Sequence, residues 1–174
     1  NTEAKVITYS CRSVADHTCR IMEESFYGMQ LRFDGIETWT RLIGRHNAYN
    51  LLAIYTTAIL LGVAQQEALV AISKLLPATG RLETIRGPKD IYVIIDYAHT
   101  PSSFLAIFPS IKKRVETKGA HLISLFGSAG ERDIVKRALQ GNIACQYSDI
   151  IILTNEDPRG EDEMSILEMI AEGI

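Results

Sequence analysis

The amino-acid sequence predicts an α/β protein whose second half is a mostly parallel sheet with helices on both faces. Beyond Gly80, short apolar runs alternate three times with helix-period segments, the pattern of a parallel sheet with helical crossovers. The runs are continuously apolar, as expected of strands buried on both faces. Each run is followed by a polar loop and then a helix, which puts the loops on the edge where open parallel sheets bind ligands.

Taken in order, "AKVITYS" alternates and predicts a strand. "MQLRFDGIETWTRLI" alternates too, and Asp34-Gly35 inside it is a hairpin signal. "GRHNAYNLLAIYTTAILLGV" is a helix ending at Gly62; "QQEALVAISKLL" is a second, stopped by Pro77. "PATG" is rich in breakers and is the hinge candidate. "RLETIRG" and "IYVIID" are strands separated by Gly87-Pro88. "PSSFLAIFPSIKKRVE" is a helix with proline in its first turn, where a missing N–H costs little. Then come strand "HLISLF", loop "GSAGERD", helix "IVKRALQGNIACQYS", strand "DIIILT", loop "NEDPRGED" and helix "EMSILEMIAEGI". No internal repeat or low-complexity stretch interrupts them.

The bulk composition narrows the function. The 174 residues are 47% hydrophobic and carry a formal charge of −3, a globular balance. The longest basic run is Lys112–Lys113–Arg114, which argues against nucleic-acid binding. "LLAIYTTAILLGV" is too short for a membrane span, and "NTEAKVITYSCR" lacks a secretory leader's pattern. Cys11, Cys19 and Cys145 form no CxxC pair, which fits free thiols in a reducing cytoplasm. His17 lies between Cys11 and Cys19, but no second ligand pair supports a metal site.

The loops Asp96–Thr100, Gly127–Asp133 and Asn155–Asp162 hold the candidate chemistry. Asp96 and His99 read either as a helix cap and a turn residue or as site residues at a strand end. Gly127-Ser128-Ala129-Gly130 either cradles an anion or makes an ordinary tight turn; it is neither GxGxxG nor a Walker A sequence. Arg132 offers a guanidinium to a carboxylate, or belongs to a solvated helix start with Glu131, Asp133, Lys136 and Arg137. Asp157-Pro158 opens a turn and Asp162 suits a cap. Arg159 among acids either balances charge or helps hold a ligand with both an amine and a carboxylate. Asn47 and Asn50, one helical turn apart, fit capping best by spacing, with a base edge as the alternative.

"GRHNAYNLLAIYTTAILLGV", "GRLE", "VIIDYAHTPSSF", "FGSAGERDIVKRALQGNIA" and "ILTNEDPRGED", in that order, resemble the Mur ligases, most closely the MurE-type branch. The resemblance covers the chain from about Gly44 onwards. It implies a Rossmann-like C-terminal domain over residues 79–174, truncated, preceded at 1–78 by the strand, hairpin and helical tail of a central ATP-binding domain. It also implies an ATP- and Mg2+-dependent amide-forming ligase of peptidoglycan synthesis. Such an enzyme activates the carboxylate of UDP-MurNAc-L-Ala-D-Glu as an acyl phosphate and adds meso-diaminopimelate, lysine or ornithine.

By resemblance, Asn47 and Asn50 lie near the nucleotide base. Arg81 reaches the terminal phosphate, and Asp96 contacts the ribose with His99 and Thr100 beside it. Arg132 binds the incoming amino acid. Glu156-Asp157-Pro158-Arg159 stands where the family has an Asp-Asn-Pro-Arg motif for diaminopimelate. Retention of Arg159 points to a distal carboxylate; the acids at 156 and 157 point to the cationic end of lysine or ornithine. The chain contains no GxxGK[ST] loop; the resemblance puts that loop and the magnesium ligands upstream, so these residues alone are expected to be inactive. The implied protein is a cytoplasmic monomer. A folylpolyglutamate-synthase-like ligase, a Mur-like paralogue and a non-catalytic module with the same fold are the alternatives.

Overall fold

A computed structural model describes residues 3–174. They form two compact units, one ending at Tyr97 and the other Ala98–Ile174.

In the first unit, β1 (Tyr9–Ser10), β2 (His17–Ser25), β3 (Gly28–Phe33) and β4 (Ile36–Thr40) lie side by side in chain order. β1 runs parallel to β2; the other pairings are antiparallel. Asp34-Gly35 makes the expected two-residue turn, with φ of 43° and 93°. Met29, Leu31 and Phe33 point to one face and are fully buried. Helices α1 (Arg45–Leu60) and α2 (Gln65–Lys74) cover that face through Leu51, Leu52 and Ile72.

β2 had no place in the sequence expectation, and the "AKVITYS" strand shrinks to Tyr9–Ser10. The pairing of β2 shifts register between Ile21 and Glu23, and such a bulge breaks the two-residue alternation that marks a strand. His17 Nδ1 lies 2.7 Å from Asp34 Oδ2, so this histidine fastens the hairpin turn.

β5 (Glu83–Arg86) and β6 (Tyr92–Ile95) form a separate antiparallel ladder within this unit. The sequence placed β6 among the parallel strands. Its link to β5 is a short turn over Pro88–Asp90, and a parallel crossover needs roughly a dozen residues or more.

The second unit is α3 (Pro101–Thr117), β7 (Ile123–Phe126), α4 (Val135–Tyr147), β8 (Ile150–Leu153) and α5 (Glu163–Ala171). β7 and β8 pair in parallel, from Ile123↔Ile150 to Phe126↔Leu153. The β7–α4–β8 connection is the crossover that the sequence predicted. Helices α3 and α5 both pack against α4. The α/β class with parallel pairing therefore holds, concentrated in β7 and β8. One face of that pair stays open, with Ile123, Leu125, Ile150 and Ile152 exposed.

Candidate functional site

The β7–α4 and β8–α5 loops leave neighbouring parallel strand ends, Phe126 and Leu153, and therefore emerge side by side. Their backbones touch. A Cβ on Gly127 would come within 2.3 Å of the Thr154 carbonyl, and one on Gly130 within 1.9 Å of the Pro158 carbonyl. Only glycine permits this approach. Three hydrogen bonds lace the loops: Gly130 N–H donates to the Asp157 carbonyl at 2.8 Å, Gly160 N–H to the Glu131 carboxylate at 3.3 Å, and Glu131 N–H to the Glu161 carboxylate. Glu131 and Arg159 occupy the left-handed region, with φ of 53° and 51°, which is uncommon for residues with a Cβ.

Two predicted site arginines sit beside these points. Arg132 is exposed and makes no side-chain hydrogen bond or ion pair among the described residues. Among the described residues, the Arg159 side chain has only a 3.5 Å contact with Asp157. Glu156 and Asp157 are exposed next to them. Guanidinium groups and carboxylates on one pair of loops suit a small zwitterion, whose carboxylate an arginine can hold with two parallel hydrogen bonds. Asp162 caps α5 by accepting from Ser165 N–H at 2.8 Å, as its position suggested.

Arg137 rules out the solvated-helix-start alternative for its own position, because it is fully buried. Its Nη1 and Nη2 reach the two carboxylate oxygens of Glu161 at 2.7 and 3.0 Å, and Nη2 also donates to the Ala129 carbonyl at 3.3 Å. These bonds, with the Glu131 N–H, hold the Glu161 carboxyl down to about 2. One signal in the sequence pointed this way. Arg137 shares the helical stripe of Gln140, Gly141 and Ala144, all buried on α4.

His99 and Thr100 belong to the same unit. The His99 carbonyl accepts from Lys136 Nζ at 3.3 Å. Thr100 caps α3: its hydroxyl accepts from Ser103 N–H at 3.2 Å, and Ser103 Oγ accepts from Thr100 N–H at 3.0 Å. The cap of α3 is therefore Thr100, and Asp96 has other work.

Asp96 lies in the first unit, where its Oδ2 accepts from Leu82 N–H at 2.8 Å. This bond ties the end of β6 to the segment entering β5. Leu82 is buried with φ of 47°, and Arg81 beside it stays exposed, its guanidinium 4.8 Å from the centre of the Tyr97 ring. Burial of Leu82 thus leaves Arg81 outside. The start of α1 adjoins Leu82, since a Cβ on Gly44 would lie 2.6 Å from Leu82 Cδ1.

At that helix start, neither asparagine is the cap. Gly44 holds the cap position without a side-chain bond. Asn47 Nδ2 donates to the Ile43 carbonyl at 2.8 Å, and Asn50 Nδ2 to Asn47 Oδ1 at 3.3 Å. Asn47 is thus fixed in place, and the Asn50 side-chain oxygen remains available to a ligand. The structure gathers Asn47, Asn50, Arg81 and Asp96 in the first unit. It gathers His99, Thr100, Arg132 and Glu156–Arg159 in the second.

The family described as "Mur ligase, glutamate ligase domain" matches residues 80–174. A UDP-N-acetylmuramoyl-L-alanyl-D-glutamate--2,6-diaminopimelate ligase of Cytophaga hutchinsonii is 42% identical, covering 100% of this chain and 35% of its own length. A UDP-N-acetylmuramyl-tripeptide synthetase of Treponema denticola is 43% identical over 98% of this chain and 30% of its own length. A solved diaminopimelate ligase structure superposes with a TM-score of 0.61 at 29% identity, over 98% of this chain and 35% of that one. The chain thus spans about a third of the length of the relatives it matches.

Proposed function

The chain belongs to the Mur ligase family, and from that premise we propose that it is part of an ATP-dependent ligase adding a diamino acid to UDP-MurNAc-L-Ala-D-Glu in peptidoglycan synthesis. The carrying observation is the laced pair of loops that presents Arg132 and Arg159 together with exposed acids. In this assignment Arg132 takes the carboxylate of the incoming amino acid. Arg159 takes a second, distal carboxylate, and Glu156 and Asp157 face its ammonium group. The weak hold of Asp157 on Arg159, 3.5 Å, leaves that guanidinium available and favours meso-diaminopimelate over lysine or ornithine. Residues 1–78 are the tail of the central domain and 79–174 most of the C-terminal one. A cytoplasmic monomer is part of the same proposal and rests on the family resemblance alone. Among the described residues no helix is long and apolar enough to cross a membrane.

The first unit fits a nucleotide. Asp96 uses Oδ2 on Leu82 and keeps Oδ1 for a ribose hydroxyl. Asn50 keeps its side-chain oxygen for a base amino group. Exposed Arg81 carries a charge that a terminal phosphate would attract. Bound ATP would supply the phosphoryl group that activates the substrate carboxylate as an acyl phosphate. The residues then have to hold the amino acid so that its amine meets that carbonyl, which is catalysis by positioning. Magnesium is assigned to no residue, since no three His, Cys, Asp or Glu side chains converge on a possible metal site among the described residues.

The test is a ligation assay of the full-length protein with ATP, UDP-MurNAc-dipeptide and the three diamino acids in competition. ATP-dependent formation of the diaminopimelate product supports the assignment. No amide product in that mixture, with ATP-dependent product in a parallel reaction given a folate and glutamate, would favour the folylpolyglutamate-type alternative.

A further inference from the structure

We propose that Arg137 and Glu161 form one positioning clamp that keeps Arg132 and Arg159 at the separation needed to grip the incoming amino acid. The proposal rests on the assignment of those two arginines as amino-acid ligands.

The clamp joins everything that carries them. Arg137 stands in the first turn of α4, just past the loop bearing Arg132. Its guanidinium reaches back to Ala129 in that loop and across to Glu161 in the loop bearing Arg159. Glu161 in turn accepts from Glu131 N–H, the residue before Arg132. The Glu131 carboxylate then accepts from Gly160 N–H, the residue after Arg159. Each ligand arginine is therefore adjacent in sequence to a residue in this ring of bonds. The left-handed backbone at Glu131 and at Arg159 itself is held inside the same ring. Such conformations persist only where the surroundings over-determine them.

Stability alone is a poor reason for the pair. Only the Arg137 end is buried, since the Glu161 side chain stays 29% exposed. An ion pair taken out of water is often matched or exceeded by apolar side chains of similar volume, whereas removing the carboxylate strands the buried guanidinium. Bidentate geometry does something that apolar packing does not: it fixes direction as well as distance. Lysine, a point charge, cannot reproduce that fork. Neither Arg137 nor Glu161 needs to touch substrate; they act through the arginines.

The experiment uses the full-length ligase and measures kcat, the KM for the amino acid, the KM for ATP and Tm. The variants are Glu161→Gln, Arg137→Lys and the double Arg137→Met/Glu161→Gln, with Arg132→Ala and Arg159→Ala as references. Glu161→Gln is expected to raise the amino-acid KM about tenfold, the scale of a modest misplacement of binding groups, with the ATP KM unchanged. Arg137→Lys is expected to raise it as well while keeping most of the thermal stability. The double variant removes both charges, so its Tm recovers towards wild type while its amino-acid KM stays high. Recovery of KM together with Tm would overturn the clamp and leave a merely structural pair. Unchanged KM in Glu161→Gln and Arg137→Lys, with raised KM in the two references, would also overturn it. Unchanged KM in Arg132→Ala and Arg159→Ala would overturn the ligand assignment, and the clamp with it.

Discussion

At the scale of single residues, charge was readable from the sequence and burial was not. Arg132 and Arg137 sit five positions apart in one charged segment, "ERDIVKR". One is exposed and the other fully buried. Charged residues are mostly solvated, so that expectation served Arg132 and failed Arg137, whose partner Glu161 is 24 residues away. Asp96 shows the same limit, because its partner Leu82 lies 14 residues upstream and only folding brings them together. Two predictions belong here. Arg81→Ala in the full-length protein should depress ATP turnover by an order of magnitude or so, the scale of one lost charged contact to phosphate, and leave the amino-acid KM unchanged; steady-state kinetics with each substrate varied in turn checks it. Glu161 makes a prediction in pH. Its carboxyl falls from 4.5 to about 2 on folding, so its contribution to stability is present above pH 4.5 and is lost as pH falls towards 2. The Tm difference between wild type and Glu161→Gln should therefore be present at pH 7, shrink below pH 4.5 and vanish near pH 2.

At the scale of elements, local signals were reliable and pairing partners were not. The Asp34-Gly35 hairpin and the helix starting at Pro101 follow from turn and cap chemistry within a few residues. β2 escaped because its bulge disrupts the alternation, and β6 was assigned to the parallel set because an apolar run does not state its neighbour. The contact between the loops bearing Arg132 and Arg159 is also an element-level feature. Gly130→Ala would drive a Cβ against the Pro158 carbonyl. It should cost about 1–3 kcal/mol, as overpacking does, and raise the amino-acid KM by parting Arg132 from Arg159. Chemical denaturation together with kinetics checks both effects. A normal KM at normal stability would mean that the loops are not held by that contact.

At the scale of the whole molecule, the order of strands, loops and helices was legible, and it carried the loops of the second unit to one sheet edge. The chain passes from one compact unit to the other after Tyr97, a point with no local marker in the sequence, since "DYAHT" carries no run of breakers; the proposed domain boundary at 78/79 is a separate matter. The open apolar face of β7 and β8 was hidden too, since its isoleucines and leucine read as buried strands. The central claim concerns the full-length protein: residues on this chain select a diamino acid for an ATP-dependent ligation. The most direct measurement is the competition assay with meso-diaminopimelate, lysine and ornithine, run on wild type and on Arg159→Ala. The account predicts ATP-dependent ligation of meso-diaminopimelate ahead of the other two, with that preference lost in the variant. Absence of any ATP-dependent amide product, or a preference that Arg159→Ala leaves intact, would contradict it.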